Sequence, residues 1–333
     1  MTLVSRVIGA GLILAGTVCC AMAQAPAPAE PEEPKVAFDV WLADFRKEAV
    51  AKGITEETFD AALSTAHPIS RIIELDRNQP EFKLTFRQYL TRTVPKSRVE
   101  TGRRLLRENK EILEKVSAKF NVQPRFLVAF WGIESDFGRI TGGFSVPHAL
   151  ATLAYDGRRA QFFRDELMNA LQILDEKHIT SSQMKGSWAG AMGQTQFMPS
   201  SFLRFAVDFN QDGRRDIWQT RGDVFASAAN YLSSSGWQGD QTWGRAVTLP
   251  ADFDASLISL DVQKDLGEWQ DLGVRRFDGT DLPVADLKAS LVSPGDDNTD
   301  VFIVYDNYRT TLKWNRSTYF ALAVGHLADR IGQ

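Results

Sequence analysis

Residues 124–159 read PRFLVAFWGIESDFGRITGGFSVPHALATLAYDGRR. The stretch begins like a helix, because the missing N–H of Pro124 is not needed at the first helical position. Every residue from 126 to 133 except Gly132 is apolar, and a helix that is apolar on all sides belongs in a protein interior. We therefore predict a buried helix that ends by Gly138, just after a single carboxylate, Glu134.

Glu134 stands at the end of this apolar run, which makes its ionisation unfavourable. A carboxylate among apolar neighbours is poorly solvated, so its pKa should rise, and the negative end of the helix dipole acts in the same direction. A carboxyl group that stays protonated near neutral pH can serve as a general acid. The alternative is a glutamate at a helix end that only makes a surface contact.

The composition of the chain allows a large core and excludes some functions. A chain of 333 residues with 44% hydrophobic residues can form one large domain or two. Its net charge of −4 gives no basic field for nucleic acid. Residues 1–23 resemble a secretory signal, with Arg6 before an apolar stretch and small residues at the cleavage site. That stretch is short for a membrane span, so we expect export to the periplasm.

Both cysteines, Cys19 and Cys20, lie inside the predicted signal. Cleavage after Ala23 would remove them, which excludes disulfides and thiol catalysis in the mature chain. A lipid-anchored form would instead begin at one of these cysteines, but the preceding residues match a lipoprotein signal poorly. Residues 24–36 are rich in Pro, Glu and Ala and are predicted to be a disordered linker. We expect one domain over residues 37–333.

The remaining patterns predict a mainly helical α+β fold with a small β portion at about 246–314. Helices are predicted for 38–53, 55–63, 97–120, 158–174, 199–207, 223–235 and 318–331. Strands are predicted for 246–249, 273–277, 289–292 and 301–314, with a turn at Asp306-Asn307. Phe162 is assigned to the core, and Asp156 and Glu166 to polar surfaces.

An acidic loop predicts an EF-hand-like calcium site. Asp208, Asn210 and Asp212 supply oxygens at positions 1, 3 and 5, and Gly213 occupies position 6, where such loops turn sharply. The backbone carbonyl of Arg214 would be the ligand at position 7. Calcium is favoured because all of these ligands are hard oxygens.

The loop departs from the pattern at position 12, where Gln219 replaces the bidentate glutamate. Asp223 could supply the missing carboxylate. The alternative is a metal-free Asx turn before a helix. Zinc is not expected, because the four histidines are scattered along the sequence, and we find neither a hydrolase nucleophile elbow nor a phosphate loop.

Several motifs occur in an order that resembles the soluble members of the membrane-bound-lytic-transglycosylase-B family of murein enzymes. They are IIELDRNQPEF at 72–82, IES at 133–135 before FG, GSWAGAMG at 186–193 before QFMPS, the loop at 208, ANY at 229–231 and WNRS at 314–317. The resemblance covers residues 38–331. The peptidoglycan-binding module that some relatives carry at the C-terminus is not visible.

The resemblance implies a lysozyme-like fold with a lone catalytic glutamate, and that role falls on Glu134. It also implies a structural calcium ion. The implied metal ligands are Asp208, Asn210, Asp212, Arg214 and Asp223. Substrate contacts are implied at Ser187, Gln196, Tyr231 and Asn315. The family places a tyrosine five residues after this Asn, where the present chain has Phe320, so Tyr319 is taken as the nearest substitute.

One acid can be enough if the substrate supplies the nucleophile. Protonated Glu134 would give its proton to the bond between N-acetylmuramic acid (MurNAc) and N-acetylglucosamine (GlcNAc). It would then accept the proton of the MurNAc 6-hydroxyl as a 1,6-anhydro sugar forms, with no catalytic cofactor. Asp136, two residues on, would point elsewhere on a continued helix. The expected partners are peptidoglycan strands and cell-wall synthesis or remodelling proteins. The alternatives are a hydrolytic muramidase and a non-catalytic peptidoglycan-binding scaffold.

Overall fold

The structure is a computed structural model that describes residues 36–77, 84–295 and 299–333. The predicted signal and the predicted linker up to residue 35 lie outside these ranges. Within them, no helix is both long enough and apolar enough to cross a bilayer.

The described chain is mainly helical with one small antiparallel sheet, as the sequence predicted, and it also has one short strand pair that the sequence did not predict. The helices are α1 Phe38–Ala51, α2 Glu56–Leu63, α3 Ser70–Arg77, α4 Phe86–Thr93, α5 Lys96–Glu108, α6 Lys110–Phe120, α7 Pro124–Ser135, α8 Val146–Asp156, α9 Ala160–Asp175, α10 Pro199–Phe205, α11 Arg221–Ser234, α12 Leu266–Asp271, α13 Asp306–Trp314 and α14 Thr318–Ile331. The strands are β1 Phe144–Ser145, β2 Lys185–Gly186, β3 Gly244–Thr248, β4 Lys264–Asp265, β5 Arg275–Arg276, β6 Lys288–Val292 and β7 Val301–Val304.

Helix α7 is the centre of one hydrophobic core. Phe126, Phe130 and Trp131 are each at most 3% exposed, and helices α5, α6, α11 and α14 pack around them. The prediction of a helix buried on all sides is therefore confirmed. Gly132 permits this packing, because a Cβ built there would lie 2.7 Å from the ring of Phe137.

A second core joins the N-terminal helices to α8, α9 and α10. Here the assignment of Phe162 to the interior is wrong. Phe162 is 45% exposed, whereas Phe163 is buried. The two rings are neighbours in the sequence, and α9 begins only at Ala160, so the helical phase places the second ring inward.

The predicted helix over 97–120 is broken at Asn109 into α5 and α6. The Asn109 side-chain amide donates to the carbonyl of Leu105, and a side chain that bonds the local backbone competes with helix continuation. The break allows α5 to pack on α7 and α14, while α6 packs on α11.

The five-stranded sheet has the order β4-β6-β7-β3-β5, with antiparallel neighbours. The predicted strand over 301–314 is wrong beyond Val304, because α13 begins at Asp306. Asn307, predicted in a turn, is buried in the first turn of this helix. Its side-chain amide bonds the backbone of Gln238 and Gln241, which ties α13 to the segment that follows α11.

We expect Gly132→Ala to destabilise the fold by about 1–3 kcal/mol, because overpacking a rigid core costs that much. The added methyl would meet the buried Phe137 ring on one side and Leu327 on the other. Thermal or urea unfolding monitored by circular dichroism measures the loss. Gly267→Ala in α12 is the matched control, since the methyl added there would have no atom within 4 Å. Equal stability of the two variants would contradict the packing described for α7.

Candidate active site

Glu134 lies in the last turn of α7, and the indole of Trp314 holds it. Trp314 Nε1 donates to Glu134 Oε1 over 2.7 Å. Burial raises the pKa of Glu134 to about 8, against the opposing effect of the Trp314 hydrogen bond. The carboxyl group is therefore mostly protonated at neutral pH, as the sequence predicted from its apolar neighbours.

The pocket around Glu134 is small and mostly apolar. It is lined by Leu127, Phe130, Trp131, Gln194, Thr195, Val224, Phe225, Ala228 and Trp314. The Trp314 ring lies 4.8 Å from the ring of Phe130 and 5.3 Å from that of Phe197. Within the part of the chain that the structure describes, the hydroxyl of Thr195 is buried without a hydrogen-bond partner. One edge of this dry pocket thus offers a polar group.

The chain reverses sharply after Glu134, through three consecutive residues with positive φ. Asp136, Phe137 and Gly138 have φ angles of 50°, 60° and 82°. The left-handed conformation is costly for residues with a side chain, so surrounding contacts must hold it. Asp136 is paired with Arg98 and Arg139. These pairs direct the Asp136 carboxylate to arginines. The helix that was expected to continue through Asp136 ends at Ser135.

Gln194 fastens the glycine-rich loop to the end of α7. Its side-chain oxygen accepts from Trp131 Nε1 at 2.8 Å, and its side-chain nitrogen donates to the carbonyl of Trp218 at 2.6 Å. Its backbone carbonyl accepts from Ser135 Oγ at 2.7 Å. A Cβ at position 138 would lie 2.3 Å from the Gln194 side-chain oxygen, so the turn requires glycine there.

The sequence did not reveal the parts played by Gln194 and Trp314. Trp314 belongs to the WNRS motif and Gln194 follows GSWAGAMG directly. The signal was therefore present, but it did not distinguish these residues from their motif neighbours. Both lie far along the chain from Glu134, and only the fold brings them to it.

The prediction that Asp156 and Glu166 lie on polar surfaces is wrong. They are 7% and 4% exposed. Asp156 pairs with Arg77 at 3.0 Å. Glu166 accepts from the backbone and the hydroxyl of Ser200 at 2.9 and 2.6 Å. A partner lowers the cost of burying each carboxylate, although Asp156 Oδ2 has no hydrogen bond among the described residues. Glu134 differs from both, because burial raises its pKa.

Ser187 and Gln196 are positioned by the backbone of the glycine-rich loop. Strand pairing of Phe144 with Gly186 brings this loop against the segment that follows α7. Ser187 Oγ accepts from the amides of Ala189 and Ala191, at 3.3 and 3.1 Å, which leaves its proton available. The Gln196 side-chain nitrogen donates to loop carbonyls, which leaves its oxygen available as an acceptor.

Tyr231 lies beside Trp314, with ring centroids 4.7 Å apart, and its hydroxyl donates to the carbonyl of Lys313 at 2.7 Å. Asn315 is exposed immediately after Trp314. Tyr319 is half-buried and packs on Phe86 and Tyr89 of α4.

Phe320 is buried against Phe130 in the core. It is therefore the partly exposed Tyr319, and not Phe320, that keeps a ring accessible at this point of α14.

The acidic loop has a short helix, α10, before it and α11 after it, as an EF-hand-like arrangement requires. Asp208 Oδ1 and Asn210 Oδ1 both accept from the amide of Asp212, at 3.2 and 3.3 Å. These two oxygens therefore lie close together. Gly213, with φ of 90°, makes the turn and donates to Asp208 Oδ2 at 2.8 Å.

Asp223 closes the base of this loop from α11. It is fully buried, and its two oxygens accept from the amides of Phe209 and Asp216, each at 2.8 Å. Burial and the nearby negative charge of Asp208 raise its pKa. In the described ranges, no three His, Cys, Asp or Glu side chains are grouped closely enough to hold a metal ion by themselves. The side-chain oxygen of Asn210 and backbone carbonyls would have to complete a site, and hard-oxygen ligands of this kind fit calcium.

Comparison with protein families decides the class of the chain. Residues 37–329 match the family described as "Transglycosylase SLT domain". The chain belongs to this family. The relationship predicted from the motifs is thereby confirmed, and so is the lysozyme-like fold, because the solved structures that it resembles are lytic transglycosylases.

Three relatives illustrate the similarity. The Escherichia coli membrane-bound lytic murein transglycosylase B is 30% identical over 258 residues, which are 73% of this chain and 66% of that protein. SltB3 from Pseudomonas aeruginosa, solved with NAG-anhNAM-pentapeptide, is 45% identical with a TM-score of 0.87, over 89% of this chain and 80% of that one. Escherichia coli Slt35, solved with calcium, is 26% identical with a TM-score of 0.75, over 87% and 92%.

Because the pKa of Glu134 is raised, the wild type should lose stability as the pH rises, and Glu134→Gln should not show this loss. Between pH 4.5 and about 8 the folded protein keeps a proton that the unfolded chain releases. The free energy of unfolding therefore falls as pH rises through this window, by at most about 1.4 kcal/mol per unit. Glutamine does not titrate. We therefore expect the Tm of Glu134→Gln minus the Tm of the wild type to increase as the pH rises through this window.

Differential scanning calorimetry of both proteins across the window measures this gain. The exposed Glu114→Gln in α6 is the control, for which no comparable gain is expected. A Tm difference between Glu134→Gln and wild type that stays constant with pH would show that Glu134 is not desolvated.

Proposed function

We propose that the protein is a peptidoglycan lytic transglycosylase that cleaves the β-1,4 bond between MurNAc and GlcNAc and leaves 1,6-anhydro-MurNAc ends. Membership of the transglycosylase family supports the reaction class. The observation that carries the mechanism is Glu134 itself, a desolvated carboxyl group held by one indole N–H and raised in pKa by burial.

In the first step Glu134 acts as the general acid. Since Oε1 accepts from Trp314, the proton is placed on Oε2, free to point toward the glycosidic oxygen. The proton passes to that oxygen as the bond to the MurNAc anomeric carbon breaks, and the GlcNAc hydroxyl leaves. The substrate N-acetyl group stabilises the positive charge that develops on the sugar. The dry pocket keeps the acid protonated until then.

In the second step the resulting carboxylate is the base. It removes the proton of the MurNAc 6-hydroxyl while that oxygen bonds to the anomeric carbon. The intramolecular attack has a high effective concentration and consumes no water. The Trp314 hydrogen bond favours the charged form of Glu134 and so stabilises it in this interval.

A two-carboxylate glycosidase places its second acid across the bond. Among the described residues, Asp136, Asp156 and Glu166 are each bound to other partners, so a single acid/base is the simplest account.

The predicted substrate contacts supply different interactions. The Ser187 hydroxyl is a free donor and the Gln196 side-chain oxygen a free acceptor, which suits N-acetyl and hydroxyl groups of the sugars. Tyr231 and Tyr319 offer ring faces for sugar stacking, and Asn315 offers an exposed amide.

The acidic loop is proposed to bind one structural calcium ion through Asp208, Asn210, Asp212, the carbonyl of Arg214 and Asp223. A cation would offset the mutual repulsion of Asp208 and Asp223 and hold α10 against α11. It plays no part in the proton transfers. The proposed setting is the periplasm, reached through the predicted signal. Glycan strands are the proposed substrate, and cell-wall synthesis or remodelling proteins are the proposed partners.

We expect Glu134→Gln to fold and to lower turnover of purified sacculi by about 10²–10⁴-fold, the usual contribution of a general acid. The wild type should release muropeptides one water lighter than those of a muramidase, as measured by mass spectrometry. The exposed Glu114→Gln should retain turnover.

Three outcomes oppose the proposal. Near-normal turnover by Glu134→Gln would remove this residue from the mechanism. Products of full hydrolytic mass would identify a muramidase. A wild type that sediments with sacculi and releases nothing would identify a scaffold.

Calcium should raise the Tm. Calcium at about 100 times its Kd contributes about 2.7 kcal/mol, which corresponds to roughly 4 °C for a domain of about 300 residues. Asp212→Ala should abolish the shift, because it removes a ligand that no other carboxylate replaces. The exposed Asp261→Asn should keep it. A wild-type melting curve unchanged by calcium or chelator would contradict the site.

A further inference from the structure

A groove of about 770 Å³ lies apart from the pocket of Glu134. Its walls are helix α2 with the preceding Thr55, the chain from 174 to 183, and part of the acidic loop from 214 to 219. Among the described residues, none lines both this groove and the Glu134 pocket. Its volume is within the usual range for binding sites of small molecules.

Trp218 gives the groove an aromatic wall. The side chain is half-buried. Its indole N–H donates to the carbonyl of Lys185 at 3.2 Å, and its ring packs on Phe202 with the centroids 5.8 Å apart. The ring is thus held in place before a ligand arrives, so binding on it would cost little side-chain entropy.

The charges that line the groove nearly cancel. Its cations are Lys177 and Arg214, and its carboxylates are Glu57, Asp175 and Asp216. Two cations against three carboxylates leave a net charge of −1. The groove therefore has no strong preference for an anion or for a cation.

Two of the three carboxylates are already bonded within the protein. Asp175 accepts from the hydroxyls of Thr55 and Thr58 at 2.5 and 2.6 Å. Asp216 accepts from two backbone amides and from the hydroxyl of Thr220. Their oxygens serve the fold and leave little capacity for a cation.

Neutral polar groups in the groove are available to a ligand. Among the residues that the structure describes, the Gln219 side chain has no hydrogen bond. Gln183 uses its side-chain oxygen to accept from Thr180 and keeps its N–H groups. His178 is neutral near pH 7, because burial lowers its pKa. Amide groups beside an aromatic ring suit a neutral ligand that carries both hydroxyl or amide groups and an apolar face.

We propose that this groove is a second glycan-binding site, which holds a GlcNAc-containing segment other than the one at Glu134. A GlcNAc unit is neutral, has an acetamido group and hydroxyls, and presents C–H groups that can pack on an indole. The choice of ligand rests on the function proposed above. A second contact would raise the affinity for sacculi without entering the reaction.

Fluorine NMR of the Glu134→Gln protein labelled with 5-fluorotryptophan tests the site, because this variant should not consume the ligand. The chain has eight tryptophans, and Trp218→Phe and Trp314→Phe assign the two resonances that report on the groove and on the Glu134 pocket. The ligand is the β-1,4-linked GlcNAc tetramer. We expect the Trp218 resonance to shift saturably, with a Kd that differs from the Kd measured at Trp314.

Ala61→Phe should abolish the Trp218 response and keep the Trp314 response. Ala61 is exposed on α2 and lines the groove, so the added ring fills the groove without entering the core. Ala43→Phe, at an exposed position of α1 outside the groove, is the matched control and should keep both responses. Gln219→Ala should weaken binding at Trp218 about fivefold, as the loss of one neutral hydrogen bond implies.

Two NMR results would overturn the second site. One is a Trp218 resonance that the tetramer does not move. The other is a Trp218 shift that has the Kd of Trp314 and persists in Ala61→Phe. That shift would be transmitted from the Glu134 pocket through Gln194, whose side chain donates to the Trp218 carbonyl.

Co-sedimentation with sacculi measures the effect on whole glycan. In the Glu134→Gln background, Ala61→Phe should bind sacculi more weakly than Ala43→Phe does. Equal binding by the two variants would contradict a second contact.

The test separates this proposal from the proposed function. If the wild type cleaves sacculi to anhydro products but only the Trp314 resonance responds to the tetramer, the groove is not a glycan site and the reaction stands. If the Trp218 resonance responds as expected but the wild type releases nothing from sacculi, the groove stands and the reaction is contradicted.

Discussion

The hydrogen bond between the Trp314 indole and Glu134 sets the main constraint on this molecule. In the proposed mechanism Glu134 exchanges a proton twice, so its carboxyl group has to remain dry and still have one partner for its charged form. The apolar length of α7 provides the dry surroundings, and a single N–H provides the partner. Burial dominates the pKa and the hydrogen bond moderates it.

The architecture around the site follows from this requirement. α7 reaches the pocket from the interior, and the turn from Asp136 to Gly138 takes the chain away at once. The glycine-rich loop is then fixed to the end of α7 through Gln194. Left-handed backbone at two residues with side chains is costly, and the arginine pairs of Asp136 and the buried ring of Phe137 offset that cost locally.

Much of the fold could be predicted from the sequence, because the strongest signals are local. The run before Glu134 is long and apolar enough to specify a buried helix, and its end indicates the raised pKa. Errors arose where a single side-chain contact decided the outcome. Asn109 broke a helix through its own side chain, and the buried contacts of Asn307 replaced a turn by helix α13.

The site could be predicted only in part for the same reason. Glu134 and Trp314 are 180 residues apart, and no periodicity relates them. Gln194 likewise acquires its position from contacts with distant parts of the chain. The partners of Asp156 and Glu166 explain why two acids assigned to the surface are buried.

Trp314 follows Glu134 by 180 residues, which matters for biosynthesis. The sheet is inserted between α11 and α13, so the indole is made only after the whole sheet. A nascent chain that has been synthesised only as far as the sheet already contains Glu134, but its pocket lacks one wall and its carboxyl group lacks its donor. The Glu134 pocket is thus incomplete until α13 has been synthesised.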